Sequence, residues 1–211
     1  MKKTILIIID NGHGWNTNGK CSPDKRLREY AYTREIAHLL YEKLTNEGYN
    51  CIRIVTETLD VSLKERVSRV NKLCTKYGAA NCVLVSIHNN AIGNDGKWHD
   101  SCGFSVFVSK KASNNSKRLA EIFFQKSVSM GLKGNRATPK PDEKGRHFWT
   151  WSWRKEDITI VTDTACPAVL TENLFQDNLK DVDFLLSTEG KKAIVDLHFE
   201  ALAQYIKEIT G

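Results

Sequence analysis

Apolar residues along this chain fall into short runs of strand character, separated by stretches of helical spacing. The first run, residues 5–9 (ILIII), is rich in β-branched isoleucine and ends at the turn signal DNGHG. A run of this kind predicts a strand that is buried on both faces. CVLVSI at residues 82–87 has the same character, and GFSVFV at residues 103–108 alternates as a half-buried strand does.

Between these runs, apolar residues recur every three or four positions, which predicts helices. Helices are predicted at about 28–47, 63–74, 119–130, 178–186 and 189–209, and further strands at 49–56, 158–161 and 168–171. Ser62 followed by Glu65 forms a capping box at the start of the second helix. This alternation predicts an α/β three-layer sandwich, with a mostly parallel twisted sheet of about six strands flanked by helices on both faces.

One domain is predicted over residues 1–211, because neither an internal repeat nor a linker divides the chain. The periodic pattern breaks down at about 133–157, where prolines and basic residues precede FWTWSW. This stretch is predicted to be a surface excursion. Its tryptophans could stack on sugar rings, although such a cluster more often belongs to a core or anchors a lid.

Composition narrows the class of protein only moderately. A hydrophobic fraction of 41% and a charged fraction of 27% are ordinary for a globular protein. The net charge of +6 suits nucleic acid, an anionic membrane or an acidic polymer such as cell wall. Nucleic acid is disfavoured because no RNA-binding signature, zinc-finger spacing or long basic run occurs.

The sequence shows neither a typical signal peptide, nor a membrane span, nor a disulfide framework. Lys2 and Lys3 before an apolar run imitate a signal peptide, but the run is too short and lacks a small-residue cleavage site. No segment approaches the length of a membrane span, so we expect no membrane insertion. The six cysteines are scattered without a CxxC pair, which favours free thiols over a disulfide framework.

Residues able to bind a metal follow three of the predicted strands. His13 follows the first strand, His88 follows residues 82–87, and Glu172 follows residues 168–171, while Glu29 opens the first helix. The carboxyl ends of parallel strands share one edge of a sheet, so these side chains are expected to meet there. Two imidazoles and one carboxylate form a typical ligand set of hydrolytic zinc, and a second carboxylate can transfer protons.

Each of these residues also has a purely structural interpretation. His13 could be a polar loop residue, and His88 could be satisfied by the backbone. Glu29 could simply favour the positive end of the helix dipole. Glu172 is harder to explain structurally, because Glu is rarely placed beside a core without a partner. We assign the remaining histidines to structure or surface: His38, His99, His147 and His198.

Six segments resemble the zinc-dependent N-acetylmuramoyl-L-alanine amidases, a family of bacterial cell-wall amidases and phage endolysins. They occur in the family's order and span nearly the whole chain: IIIDNGHG at 7–14, REYAYTREIAHLL at 28–40, LKERVSRVNK at 63–72, VSIHNNA at 85–91, GFSVFV at 103–108 and PAVLTENLFQDN at 167–178. One difference is Asn11, which stands where the family usually has proline.

The resemblance implies specific roles for the candidate residues. His13, Glu29 and His88 would bind one Zn²⁺ ion, and Glu172 would be the general base and acid. The implied substrate is peptidoglycan, cleaved at the amide between N-acetylmuramic acid and L-alanine of the stem peptide. Asn90 and Arg136 are the expected substrate-binding residues, although Asn90 could equally cap its own loop.

The sequence is also compatible with two other functions. One is a zinc peptidase or amidase of the same fold that cuts a different cell-wall bond. The other is an inactive cell-wall binding module, suggested by the basic charge and the aromatic stretch. We expect synthesis in the cytoplasm and action on the wall after release or export, as a phage-type endolysin or as a secreted enzyme without its leader.

Overall fold

A sheet of five strands forms the middle layer of the computed structural model, which describes residues 5–132 and 158–211 and two short strands between them. The strands of the sheet are β1 (Leu6–Asn11), β2 (Asn50–Arg53), β3 (Cys82–Asn90), β4 (Ser105–Phe107) and β7 (Ala168–Phe175). The two short strands, β5 (Lys140–Pro141) and β6 (His147–Phe148), form a separate antiparallel pair. The helices are α1 (Glu29–Asn46), α2 (Leu63–Tyr77), α3 (Asn114–Ser129), α4 (Thr159–Thr162), α5 (Leu179–Leu186) and α6 (Thr188–Thr210).

The order of the strands, β2-β1-β3-β7-β4, places β1, β3 and β7 in the interior of the sheet. Four of the strands are parallel, and β4 runs antiparallel to β7 at one edge. Parallel interior strands are covered on both faces, which explains why β1 reads as an unbroken apolar run. The carboxyl ends of β1, β3 and β7 therefore lie side by side.

Two apolar cores fill the spaces on either side of the sheet. Alternate residues of β1 point to opposite faces, so Ile7 and Ile9 join the larger core while Leu6 and Ile8 join the smaller one. The larger core lies under α1, α3, α5 and α6, and the smaller core lies under α2 and α4. This arrangement is the predicted three-layer α/β sandwich. Among the described residues, no helix combines the length and the apolar character of a membrane span.

The prediction of a strand at residues 158–161 is wrong, because Thr159–Thr162 forms one turn of helix. A short β-branched run does not distinguish a strand from a buried helical turn. Here Ile160 and Val161 are buried in the smaller core next to α2. The main sheet accordingly has five strands where about six were expected.

Other boundaries differ by a few residues. The α3 helix begins five positions earlier than predicted, because Ser113 caps it by accepting a hydrogen bond from the Ser116 N–H at 3.1 Å. The predicted cap of α2 is confirmed, since the Ser62 hydroxyl accepts from the Glu65 N–H at 3.3 Å. β3 and β7 extend beyond the predicted ends, so His88 and Glu172 lie within strands.

Candidate metal centre

Three side chains from different elements meet at the carboxyl edge of the sheet. They are His13 from the loop after β1, Glu29 from the first turn of α1, and His88 from β3, and their potential ligand atoms lie within 4.8 Å of one another. Glu29 Oε1 is 3.4 Å from His13 Nε2 and 3.1 Å from His88 Nδ1. The two imidazole rings meet edge to face, with centroids 5.1 Å apart. The convergence expected from the sequence is therefore present.

Glu29 reaches the centre because α1 begins at this residue. Arg28 is extended, and the Glu29 N–H donates to the Lys20 carbonyl at 3.0 Å, which fixes the start of the helix. The carboxylate is almost completely buried, and its Oε1 also accepts from the Asn89 N–H at 3.0 Å. Burial would raise the pKa of Glu29, but hydrogen bonds with His13 and His88 hold this pKa well below its ordinary value.

The second carboxylate oxygen of Glu29 provides a test of whether a cation fits this centre. Within the described residues, Oε2 is buried and has no hydrogen-bond partner. A buried anionic oxygen without a donor is costly unless a cation or an ordered water compensates it. Two imidazole nitrogens and this carboxylate face one another at ligand-like separations. The donor set therefore fits a borderline-soft divalent metal such as zinc.

Glycines on both sides of His13 allow the close approaches that form the centre. A Cβ atom at Gly12 would lie 2.4 Å from Nδ1 and Cε1 of His88, so a side chain there would displace the imidazole. A Cβ atom at Gly14 would lie 2.0 Å from the backbone nitrogen of Asp60. His13 itself has a left-handed backbone with φ of 57°.

Glu172 lies next to His88 on the neighbouring strand. The two residues are direct partners in the parallel register of β3 and β7, and such strands lie about 4.8 Å apart. Burial opposes protonation of His88. The hydrogen bond with Glu29 and the charge of Glu29 nevertheless raise the pKa of this histidine, and the charge of Glu172 contributes further. Glu172 is outside the three-residue ligand group. A carboxylate beside the ligands but separate from them suits proton transfer.

The other candidate residues have different surroundings. The side-chain oxygen of Asn90 accepts from the Ala91 N–H at 2.9 Å, so this residue caps its own loop, and its role toward substrate stays a prediction. Arg136 lies outside the described residues, as do the side chains of the tryptophan-rich stretch.

The histidines assigned to structure or surface behave as expected where they are described. His38 pairs with Glu42 at 3.3 Å, and His99 pairs with Asp95 at 3.0 Å. His198 is buried in the larger core against Thr171. The side chain of His147 lies outside the described residues.

A polar network behind the His13 loop was not predicted. Arg66 of α2 is buried and donates from Nη1 to Asp10 Oδ1 at 2.6 Å. Asp10 also accepts from the Ser86 hydroxyl at 2.6 Å. A signal was present in the sequence, because Arg66 stands four residues before Val70 and eight before Cys74, on the buried stripe of an amphipathic helix. A charge on such a stripe requires a partner.

The fold and the centre together define a class, the α/β proteins that carry a candidate metal site at the carboxyl edge of a parallel sheet. A family model described as N-acetylmuramoyl-L-alanine amidase matches residues 7–204. The chain therefore belongs to the N-acetylmuramoyl-L-alanine amidase family.

Individual relatives and solved structures agree with this assignment. The chain is 27% identical over 202 residues to the N-acetylmuramoyl-L-alanine amidase CwlM of Bacillus licheniformis, covering 95% of this chain and 68% of that protein. It is 24% identical over 202 residues to the endolysin of Bacillus phage SPP1, covering 95% of this chain and 66% of that protein. Its fold is similar to the crystal structure of an N-acetylmuramoyl-L-alanine amidase from Clostridium difficile 630, with a TM-score of 0.77, 22% identity, and coverage of 97% and 98% of the two chains.

Proposed function

We propose that the protein is a zinc-dependent amidase that hydrolyses the bond between the lactyl group of N-acetylmuramic acid and L-alanine in peptidoglycan. The observation that carries the proposal is the convergence of His13, Glu29 and His88, beside a separate carboxylate, Glu172. Membership of the amidase family supports the substrate and the bond. The relatives that act as bacterial amidases or as an endolysin support action on the cell wall.

Metal binding and proton transfer would be carried out by different residues during amide hydrolysis. When bound, zinc would act as a Lewis acid and lower the pKa of water to about 7. His13, Glu29 and His88 would hold the ion, with Glu29 compensating part of its charge. Glu172 would accept a proton from the attacking water and return it to the amine nitrogen of L-alanine as the C–N bond breaks. The lactyl carbon thereby gains a hydroxyl group and the leaving amine gains a proton.

The proposal also concerns the biological role of the protein. We infer that the protein acts as a phage-type endolysin, because one of its relatives is named an endolysin. The net charge of +6 favours adsorption to an acidic wall polymer in either setting. A bacterial housekeeping amidase is the alternative, and the CwlM relative supports it. The chemistry proposed for the centre is the same in both settings.

The decisive experiment combines metal removal with a Glu172→Gln variant. Chelation should abolish release of wall fragments, and added zinc should restore it. Glu172→Gln should retain bound zinc but lower kcat/KM by roughly 10²–10⁴-fold, the usual contribution of a general acid–base residue. Glu42→Gln on the exposed face of α1 is the matched control and should retain activity.

Mass spectrometry of the digested wall identifies the bond. New free lactyl carboxyl groups and new free L-alanine amines are expected in equal amounts. New ends at another bond would indicate a different amidase or peptidase. Full activity after complete removal of metal would contradict the zinc proposal, and retention on the wall without any product would indicate a binding module.

A further inference from the structure

His13 is held at the centre in an unusual backbone conformation. Its φ of 57° lies in the left-handed region, which is unfavourable for a residue with a side chain. This residue belongs neither to a strand nor to a helix, so no ladder of main-chain hydrogen bonds holds its peptide. Strained backbone at a functional site persists only where surrounding groups determine it.

Two arginine side chains supply the necessary contacts. The His13 carbonyl accepts from Arg34 Nη2 at 2.8 Å and from Arg66 Nη2 at 3.2 Å. The preceding carbonyl, of Gly12, accepts from Arg34 Nη1 at 3.2 Å and from the Thr33 hydroxyl at 3.2 Å. Arg34 belongs to α1 and Arg66 to α2, so helices on opposite faces of the sheet hold one peptide.

Arg66 uses its whole guanidinium group in this network. Its five N–H groups donate to Val61 O at 2.7 Å, Asp10 Oδ1 at 2.6 Å, Asn11 O at 2.5 Å, His13 O at 3.2 Å and Asp60 Oδ1 at 2.9 Å. The carboxylates of Asp10 and Asp60 form ion pairs with Arg66, and their charges also act on the nearby Arg34. Asp60 is itself tied back to the loop, because its Oδ2 accepts from the Thr17 hydroxyl at 2.6 Å.

We propose that Arg34 and Arg66 are positioning residues that hold the His13 peptide in its left-handed conformation and thereby set the affinity of the centre for its metal. The inference rests on the proposed function in taking His13 as a ligand. Neither arginine binds the metal itself in this proposal. Groups that orient a ligand typically contribute 10–100-fold to metal affinity.

The sign of the effect separates positioning from electrostatics. Removing a positive charge near a cation site should strengthen cation binding, because it removes repulsion. Removing a positioning residue should weaken binding, because His13 is then free to leave the left-handed region. A weakening caused by loss of a cation therefore reports on geometry.

Arg34→Ala is the principal variant, because Arg34 is only partly buried and its loss is less disruptive than loss of the buried Arg66. We expect Arg34→Ala to weaken Zn²⁺ and Co²⁺ binding by about 10-fold and to change the visible absorption of bound Co²⁺. Arg34→Lys should recover part of the affinity, since one ammonium can reach one of the two carbonyls. Arg69→Ala is the matched control, because Arg69 pairs with Glu57 and Glu65 and leaves the His13 carbonyl untouched.

A double-mutant cycle with His13→Ala completes the test. If Arg34 acts through His13, Arg34→Ala should not weaken the residual metal binding of a His13→Ala protein any further. Equal affinities for Arg34→Ala and Arg69→Ala, or a full Arg34 effect without His13, would overturn the inference. Arg66→Lys offers a second, independent variant with the same expected direction.

Failure of this inference is distinguishable from failure of the proposed function. Metal affinity and Co²⁺ absorption are measured without substrate, so they test the arginines whatever bond the enzyme cuts. Intact affinity in Arg34→Ala with correct muropeptide products would overturn only the inference. Weakened affinity in a protein that releases no lactyl carboxyl groups would overturn only the amidase proposal.

Discussion

The two histidines of the centre are held by different parts of the molecule. His88 belongs to β3, an interior strand that pairs with β1 as far as Ile87 and with β7 at His88 itself, so strand pairing fixes its backbone. His13 lies in a loop, and charged side chains from α1 and α2 fix its backbone. We call these the strand side and the loop side of the centre. The strand side depends on main-chain pairing and apolar burial, whereas the loop side depends on compensated charges.

Hydrogen bonds between side-chain amides and main-chain carbonyls stabilise the strand side. The Asn173 amide donates to the His88 carbonyl at 2.9 Å, and the Asn89 amide donates to the Asn173 carbonyl at 2.6 Å. These contacts join β3 to β7 where the register shifts between His88 and Asn90. The pairing of His88 with Glu172 is thus built into the sheet, while the position of His13 depends on groups distant in sequence.

The largest expected effect comes from removing a charge on the loop side. Asp10→Ala leaves the buried guanidinium of Arg66 with Asp60 as its remaining carboxylate, and leaves the Ser86 hydroxyl without its acceptor. Breaking a buried ion pair in this way should lower the free energy of unfolding by about 3 kcal/mol. Urea unfolding of the metal-free protein measures this loss.

Asp196→Ala is the control for Asp10→Ala. Asp196 is partly exposed and pairs with Lys43 and Lys192, so its loss should cost less than that of the buried Asp10, at about 1 kcal/mol. Equal losses in the two variants would show that the loop side does not depend on its buried charge.

His198 of α6, which contacts Thr171 of β7, should make the stability of the protein sensitive to acid. Burial lowers the pKa of His198 to about 4, against the opposing effect of its hydrogen bond with the Ile194 carbonyl. The unfolded chain therefore binds a proton at a higher pH than the folded protein does. Stability from this group is present above about pH 6.5 and is lost as the pH falls toward 4.

Replacing His198 should reduce this acid sensitivity. The Nδ1 atom donates to Ile194, so the neutral ring accepts from the Thr171 hydroxyl through Nε2 at 2.9 Å, and Gln can replace part of this pairing. Between pH 7 and pH 5, the wild type should lose roughly 2 kcal/mol more than His198→Gln. Urea unfolding at both pH values tests this, with His38→Gln as an exposed control. Parallel pH profiles for wild type and His198→Gln would contradict the assignment.

The sequence predicts the strand side better than the loop side, for a physical reason. Buried parallel strands produce unbroken apolar runs, so β1 and β3 are visible in the pattern, and their shared edge predicts the meeting of His13 with His88. The positions of Arg34 and Arg66 depend on helices that pack on opposite faces of the sheet. A helical pattern shows that Arg66 shares a stripe with apolar residues, but only the folded chain shows which carboxylate faces it.

The strand predicted at residues 158–161 is absent for a related physical reason. Four residues are too few to show a period, and β-branched side chains then favour a strand. Packing against α2 stabilises a helical turn instead. The Ile160 carbonyl of this turn also accepts a hydrogen bond from the Thr164 hydroxyl at 2.8 Å. Local preference is weak at this length, and tertiary contacts override it.

The smallest expected effect is a gain in stability on the loop side. Asn11 is fully buried at the end of β1, and within the described residues neither its amide nitrogen nor its amide oxygen has a hydrogen-bond partner. The Gly12 N–H donates to the Ile87 carbonyl at 2.9 Å, so residue 12 faces β3 and residue 11 faces the opposite neighbour, β2. The pairing of β2 with β1 ends at Arg53, opposite Ile9. The Asn11 N–H therefore lies past the last paired residue of β2.

Asn11→Pro should therefore raise the free energy of unfolding by about 1 kcal/mol. Proline removes the buried amide, restricts the unfolded chain, and keeps the carbonyl to which Arg66 donates. Its ring also favours an extended conformation at Asp10, which that residue already has in β1. Unfolding of the metal-free protein measures the gain, and Asn11→Ala, which leaves a cavity, separates removal of the amide from the proline effect. A loss of stability in both variants would show that the amide has a partner such as an ordered water, and that the loop side contains a further buried polar contact.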